Sequence, residues 1–194
     1  RQLGESAAAR AAFEKALRIN PRHAHALNNL AMLEAASNRH EIAVELLLRA
    51  IAAEPRLASA YVNRGASLRV LGRYDEAFAD QQKAAALLPR DAEPVYQIAA
   101  TLRAAGKFED AERAYLHALE LEPLRADIHR EYAAMKLETG ARDQAFSAFD
   151  RAIAATGSPE LSAALGDVYL MSGDARSAAR ASTHALEKNP DHAK

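Results

Sequence analysis

Polar and apolar residues alternate along this chain with a helical period. From Tyr61 to Pro89 the sequence reads YVNRGASLRVLGRYDEAFADQQKAAALLP. Tyr61, Gly65, Leu68 and Leu71 fall on one side of a first helix, and Ala77, Ala84, Phe78 and Leu87 on one side of a second. Neighbours on a helix surface lie three and four residues apart, so each predicted helix has one apolar face for its partner. A turn at Gly72 separates the two, and Pro89 ends the second. Gly65, Ala77 and Ala84 are small enough to let two backbones approach closely. A lone hairpin of this size cannot bury its own apolar face, so it needs similar hairpins beside it.

Those hairpins recur. The alanine register runs Ala9, Ala43, Ala77, Ala111, Ala145 and, one residue early, Ala178. A second runs Ala16, Ala50, Ala84, Ala118, Ala152 and Ala185, with the same slip. Turn positions are Gly4, Asn38, Gly72, Gly106, Gly140 and Gly173; stops are Pro21, Pro55, Pro89, Pro123, Gly157 and Pro190. A first-helix series of small residues, Ala31, Gly65, Ala99, Ala133 and Gly166, slips at its last step too, placing the deletion between Ala152 and Gly166. The Thr156-Gly157-Ser158-Pro159 turn accommodates it: Gly157 ends one helix, Ser158 caps the next and Pro159 opens it. A local change in the angle between units is expected there.

This period and residue pattern resembles the tetratricopeptide repeat family over essentially the whole chain. The resemblance implies an all-α, right-handed superhelical solenoid of helix–turn–helix units that acts as a protein- or peptide-binding scaffold. The expected organisation is a single array over 1–194: a half unit at 1–23, then full units at 24–57, 58–91, 92–125, 126–158 and 159–192, about eleven helices in all. The first helix is expected from about Ser6 to Ile19, after the Gly4 turn, its face of Leu3, Phe13 and Leu17 covered by a preceding helix. The mid-repeat start, and the end at Lys194 with no capping helix, suggest a piece of a longer protein.

Composition narrows the chemistry. With 25 basic and 26 acidic residues the net charge is −1, which gives no general attraction for nucleic acid or anionic lipid. No apolar run approaches the roughly 20 residues that span a bilayer, so no membrane insertion is expected, and the cytoplasm is the expected location. The chain has no cysteine, excluding disulfides and thiolate metal sites without fixing the compartment. No phosphate-binding glycine loop, HExxH or G-x-S-x-G elbow occurs, so no catalytic residue, cofactor or metal is expected. His23 and His25 lie close at a helix start and read as a polar turn. Glu109 and Asp110 read as helix-start acids favoured by the helix dipole.

One buried oddity is Arg64, on a face where other units carry Leu30, Ile98, Tyr132 and Leu165. It is expected to pair with Asp80, because an unpaired buried guanidinium is costly. The candidate binding surface is the first-helix face that lines the concave groove in this family. Asn28, Asn29, Val62, Asn63, Arg69, Tyr96, Gln97, Arg103, Arg130 and Glu131 are its candidate peptide-binding residues, with His25, Met32, Ser59, Ala66, Val70, Glu93, Asp127, Ala134, Glu138, Ala164, Asp167 and Met171 in the same registers. Asn29, Asn63 and Gln97 stand one period apart, and a carboxamide can donate to and accept from one backbone amide at once. They resemble the asparagine ladder of the O-linked N-acetylglucosamine transferase family, from which Gln97, Glu131 and Ala164 depart. Alternatively, these carboxamides only cap or bridge adjacent helices. A chaperone-type carboxylate clamp is disfavoured, since these positions hold no lysine. The charges suggest a groove neutral to basic early and acidic late, suited to basic peptide residues near Asp127–Glu138. Two alternatives to a free-standing scaffold are the substrate-recruiting arm of a larger enzyme (glycosyltransferase, sulfotransferase or oxygenase) and a self-assembly module stacking through uncapped ends.

Overall fold

A computed structural model describes residues 2–188, with side chains described for 7–183. The described residues form eleven α-helices and no strand. The chain divides into two compact units, Arg1–Lys107 and Phe108–Lys194. The first holds α1 (Gln2–Ile19), α2 (Ala24–Ala36), α3 (His40–Ala53), α4 (Ala58–Val70), α5 (Tyr74–Leu87) and α6 (Ala92–Ala104). The second holds α7 (Phe108–Leu121), α8 (Ala126–Glu138), α9 (Arg142–Thr156), α10 (Pro159–Met171) and α11 (Ala175–Lys188).

In the first unit each helix packs on the next from α1 to α6, and α2, α4 and α6 also lie side by side in that order. The small residues sit where the helices approach most closely. Ala31, Ala43, Ala50, Ala77, Ala84 and Ala99 are completely buried. A Cβ on Gly65 would stand 3.1 Å from the Ala77 carbonyl oxygen, so α4 and α5 are in contact there through backbone. Leu27, Leu47 and Leu30 fill the core between α2 and α3, and Phe13 and Leu17 of α1 pack against it. Phe13 and Leu17 of α1 stay partly buried in that contact, and the Leu3 side chain lies outside the described ones. Gly4 is not a turn, because α1 runs helical through it from Gln2.

Each hairpin turn closes the same way. At Asn38 the chain takes a left-handed φ of 58°. The Asn38 N–H then donates to the Ala35 carbonyl (2.9 Å) and the Arg39 N–H to the Glu34 carbonyl (2.9 Å), satisfying two helix-end carbonyls at once. Asparagine is the residue after glycine that best tolerates this conformation. The same pair of bonds recurs at Gly72–Arg73, Gly106–Lys107, Gly140–Ala141 and Gly173–Asp174.

In the second unit α8 packs on α7, α9 and α10, and α10 on α9 and α11. Phe149, Leu161, Leu165 and Val168 form the core with Ala133, Ala145 and Ala181. The shortened unit behaves as its residues dictate. Gly157 ends α9 at φ 65°, and Ser158 caps α10, its Oγ accepting from the Leu161 N–H at 3.2 Å with Pro159 in the first turn. His129 occupies the register of Tyr61, and both tie back to a proline six residues upstream. Tyr61 Oη donates to the Pro55 carbonyl at 3.2 Å; His129 Nε2 meets the Pro123 carbonyl at 2.9 Å. Of the remaining registers, Pro190 lies outside the described residues and Ala185 outside the described side chains.

Candidate peptide-binding surface

The sites of buried charge show which polar residues are committed to structure. Arg64 forks onto Asp80, with Nε–Oδ2 and Nη2–Oδ1 both at 2.6 Å and side chains 18% and 7% exposed. The hydrogen bonds that Arg64 donates to Asp80 raise the Arg64 pKa further, so the guanidinium stays charged. Glu34 is held by Arg10 and Arg39. Burial opposes its charge, but the hydrogen bonds from Arg39 and Arg10 prevail and its pKa falls. In the second unit Lys136 bonds Glu112 at 2.5 Å and Tyr132 Oη donates to the same carboxylate at 3.0 Å. Lys136 lowers the Glu112 pKa, while burial and then Glu112 raise that of Tyr132. His23 serves as a helix cap, its Nδ1 accepting from the Ala26 N–H at 3.3 Å.

The first-helix face of the first unit carries the predicted carboxamides, and most of them touch each other. Asn63 Nδ2 donates to Asn28 Oδ1 at 2.9 Å, from α4 to α2, and Asn28 Nδ2 donates to Asn29 Oδ1 at 3.2 Å. Gln97 Nε2 donates to Glu93 at 2.8 Å, and Arg69 Nη2 reaches Gln97 Oε1 from α4 to α6 at 3.5 Å. In the second unit Arg130 of α8 reaches Asp167 of α10 at 3.3 Å. Polar residues of this face therefore bridge successive first helices. Asn29, Val62, Asn63, Arg69, Tyr96, Gln97 and Arg103 are half-buried, as are Arg130 and Glu131, while Met32 and Val70 are exposed. Asn28 departs from expectation: it is 5% exposed and sits in the seam between α2 and α4. Ala134 and Ala164 are likewise buried in helix packing, not on an open face. The two successive residues Asn28 and Asn29 straddle the edge of the helix face, and only Asn29 remains in reach of solvent.

One feature of this surface had no signal in the register of first-helix residues. A cleft of about 250 Å³ opens between α2 and α4, with His40 and Leu47 of α3 in its wall. His40 belongs to a second helix, so counting along first helices passes it by; only the packing of α3 under the α2–α4 pair brings it in. His40 Nδ1 and Arg69 Nε are shielded from water with no hydrogen-bond partner among the described residues. Such a group costs about 1–3 kcal/mol in stability. Among the described residues, no group of three or more metal-ligating side chains comes together, and no helix is long and apolar enough to cross a membrane.

Paired helices, left-handed hairpin turns and alanine-lined seams recurring along the chain define a helical-repeat protein. The tetratricopeptide repeat family model matches residues 1–55, 30–92 and 96–159, and the chain belongs to that family. Tetratricopeptide repeats are, in general, protein-interaction scaffolds without catalytic groups of their own. No curated protein matches the chain. Among solved structures, it is similar to YrrB, a protein of this class with an unusual peptide-binding site: 23% identity, 93% of this chain and 94% of that one covered, TM-score 0.60. It is also similar to TTC0263, a protein of Thermus thermophilus (23% identity, 86% and 92% covered, TM-score 0.63). A third likeness is to PilF of Pseudomonas aeruginosa (22% identity, 97% and 86% covered, TM-score 0.70). At these identities the likenesses establish the fold.

Proposed function

We propose that the protein binds an extended polypeptide along its first-helix faces, with the carboxamides of Asn29, Asn63 and Gln97 meeting the ligand backbone. The observation that carries this reading is the half-exposed carboxamide series on α2, α4 and α6, adjacent helices that present it side by side. Residues 1–194 are read as one array because the registers pass from Gly72 to Gly106 and from Ala77 to Ala111 without a slip. The similarity to YrrB, a protein with a peptide-binding site, supports the same reading. Binding is expected to be weak. The Asn63–Asn28 and Gln97–Glu93 bonds must be exchanged for bonds to the ligand, and a net hydrogen bond is worth only about 1 kcal/mol. Micromolar dissociation constants follow as an upper bound on affinity.

The test is binding of the intact protein to pools of acetylated, amidated nonapeptides with randomised flanks, followed by fluorescence anisotropy. An Asn29→Ala/Asn63→Ala variant should bind every pool more weakly, irrespective of sequence. Equal binding by this variant and the original, or no binding of any pool, rejects the reading.

A further inference from the structure

The cleft between α2 and α4 has a chemistry that its own residues leave incomplete. Its walls are largely apolar, from Ala35, Leu47, Met32 and Val70, and Arg69, His40, Asn63 and Ser67 supply its polar side chains. Four arginines of the first unit are paired with carboxylates, Arg10 and Arg39 with Glu34, Arg64 with Asp80 and Arg73 with Glu76, while the exposed Arg22 and Arg49 reach backbone carbonyls. Arg69 has no carboxylate partner among the described residues. Its one side-chain bond is the long 3.5 Å contact to Gln97, and its Nε is unpartnered, as is His40 Nδ1. A partly buried guanidinium without a counter-charge calls for an anion, and Nε together with a terminal nitrogen forms the fork that a carboxylate fits.

We infer that this cleft is a specificity pocket for a glutamate side chain of the bound polypeptide. The inference rests on the peptide-binding reading above. A cleft of about 250 Å³ is larger than a carboxylate and takes a side chain with its stem. The methylenes of glutamate lie against Ala35, Leu47, Met32 and Val70. Its carboxylate meets Arg69, which turns out of the Gln97 contact, and His40 donates from Nδ1 in that tautomer. A chain-terminal carboxylate suits the cleft less well. It would carry a backbone amide in among the apolar side chains of Ala35, Leu47, Met32 and Val70. Burying that amide unpaired opposes binding.

Two measurements on the intact protein test this. The first titrates N-acetyl-glutamate-N-methylamide, its glutamine analogue and N-acetyl-alanine with a free carboxylate, reading backbone amide chemical shifts. The glutamate compound should shift the amides around Ala35, His40 and Arg69 more than either of the others. Equal shifts by the glutamine analogue or by N-acetyl-alanine, or shifts elsewhere only, overturn the pocket. The second compares nonapeptide pools with Glu, Gln or Leu fixed at the centre. Glu-centred pools should bind roughly tenfold more tightly than Gln-centred ones, and Arg69→Gln should erase that preference, weakening Glu-centred pools more than Leu-centred ones. If pools bind without preference for Glu, the pocket falls and the scaffold reading stands. If the glutamate compound marks the cleft while no pool binds, the scaffold reading falls and the specificity role falls with it, leaving only a site for the glutamate side chain.

Discussion

At the scale of single residues, the instructive position is Arg64. The sequence sets an arginine where equivalent units carry large apolar side chains, and burying it is tolerable only with a partner. Asp80, one helix later, supplies a bidentate fork at 2.6 Å. Removing one member of such a pair leaves a charge stranded, which costs more than the pair itself contributes. Arg64→Leu should therefore lower unfolding free energy by about 3–5 kcal/mol in urea titration, and adding Asp80→Asn should restore part of the loss. A single variant as stable as the original would mean that the Asp80 carboxylate finds water or another cation. Arg64 was legible because its apolar setting demanded a partner. His40 was not: nothing in its neighbours distinguishes it from any polar residue opening a helix, and its place beside Arg69 depends on three helices meeting.

Among elements, α7 and α8 are held by a polar cluster in which Glu112 accepts from Lys136 and Tyr132. The Lys136 hydrogen bond holds the Glu112 carboxyl below its ordinary range, so the unfolded chain takes up this proton first as pH falls. The stability it contributes is present above the ordinary glutamate value, roughly 4.3, and is lost on descent through the folded value. His129, on α8, works in the same direction from higher pH. Burial lowers its pKa against the opposing pull of the Pro123 carbonyl, so stability begins to fall below about 6.5. Urea unfolding of Glu112→Gln between about pH 5 and 3 should show a shallower loss than the original protein; an identical acid limb would remove Glu112 from the account. The helices themselves were readable to within about two residues, because alanine seams and left-handed turns repeat. The α1 start was not. Gly4 has the composition of a turn, yet the helix passes through it, glycine being permitted in a helix at a cost of about 1 kcal/mol.

For the molecule as a whole, net charge is close to zero, so recognition depends on where charges stand and not on how many there are. The proposed late groove positions Asp127, Glu131 and Glu138 favour basic residues in a ligand, as the Arg69 cleft favours an acidic one. Asp127 already bonds Arg125, which lowers its pKa and keeps it ionised, while reducing what it offers a ligand. Charge reversal at Glu131 and Glu138 should weaken binding of Lys-rich peptide pools severalfold and flatten its salt dependence. Unchanged affinity and unchanged salt slope would assign both residues to the solvated surface. A repeating helical hairpin was readable from periodicity alone, since close packing forces a small residue at each seam; the family was readable from the resemblance of the residue pattern. The contacts of the binding face were less so. Spacing placed Asn28, Asn29 and Asn63 near one another, but which of two adjacent asparagines turns inward is decided by the approach of α2 and α4.

The hairpin turns carry one more consequence. A side chain added at Gly72 would meet no atom within 4 Å, so size is no obstacle there, and only the sign of φ, at 75°, stands against an ordinary residue. A mirror-image alanine prefers that sign. Semisynthesis with D-alanine at position 72 should therefore raise the melting temperature by a few degrees, because the substitution narrows the freedom of the unfolded chain by roughly 0.4–1 kcal/mol without touching any folded contact. L-alanine at the same place should lower it, and the two enantiomers, identical in composition and mass, would bracket the natural protein.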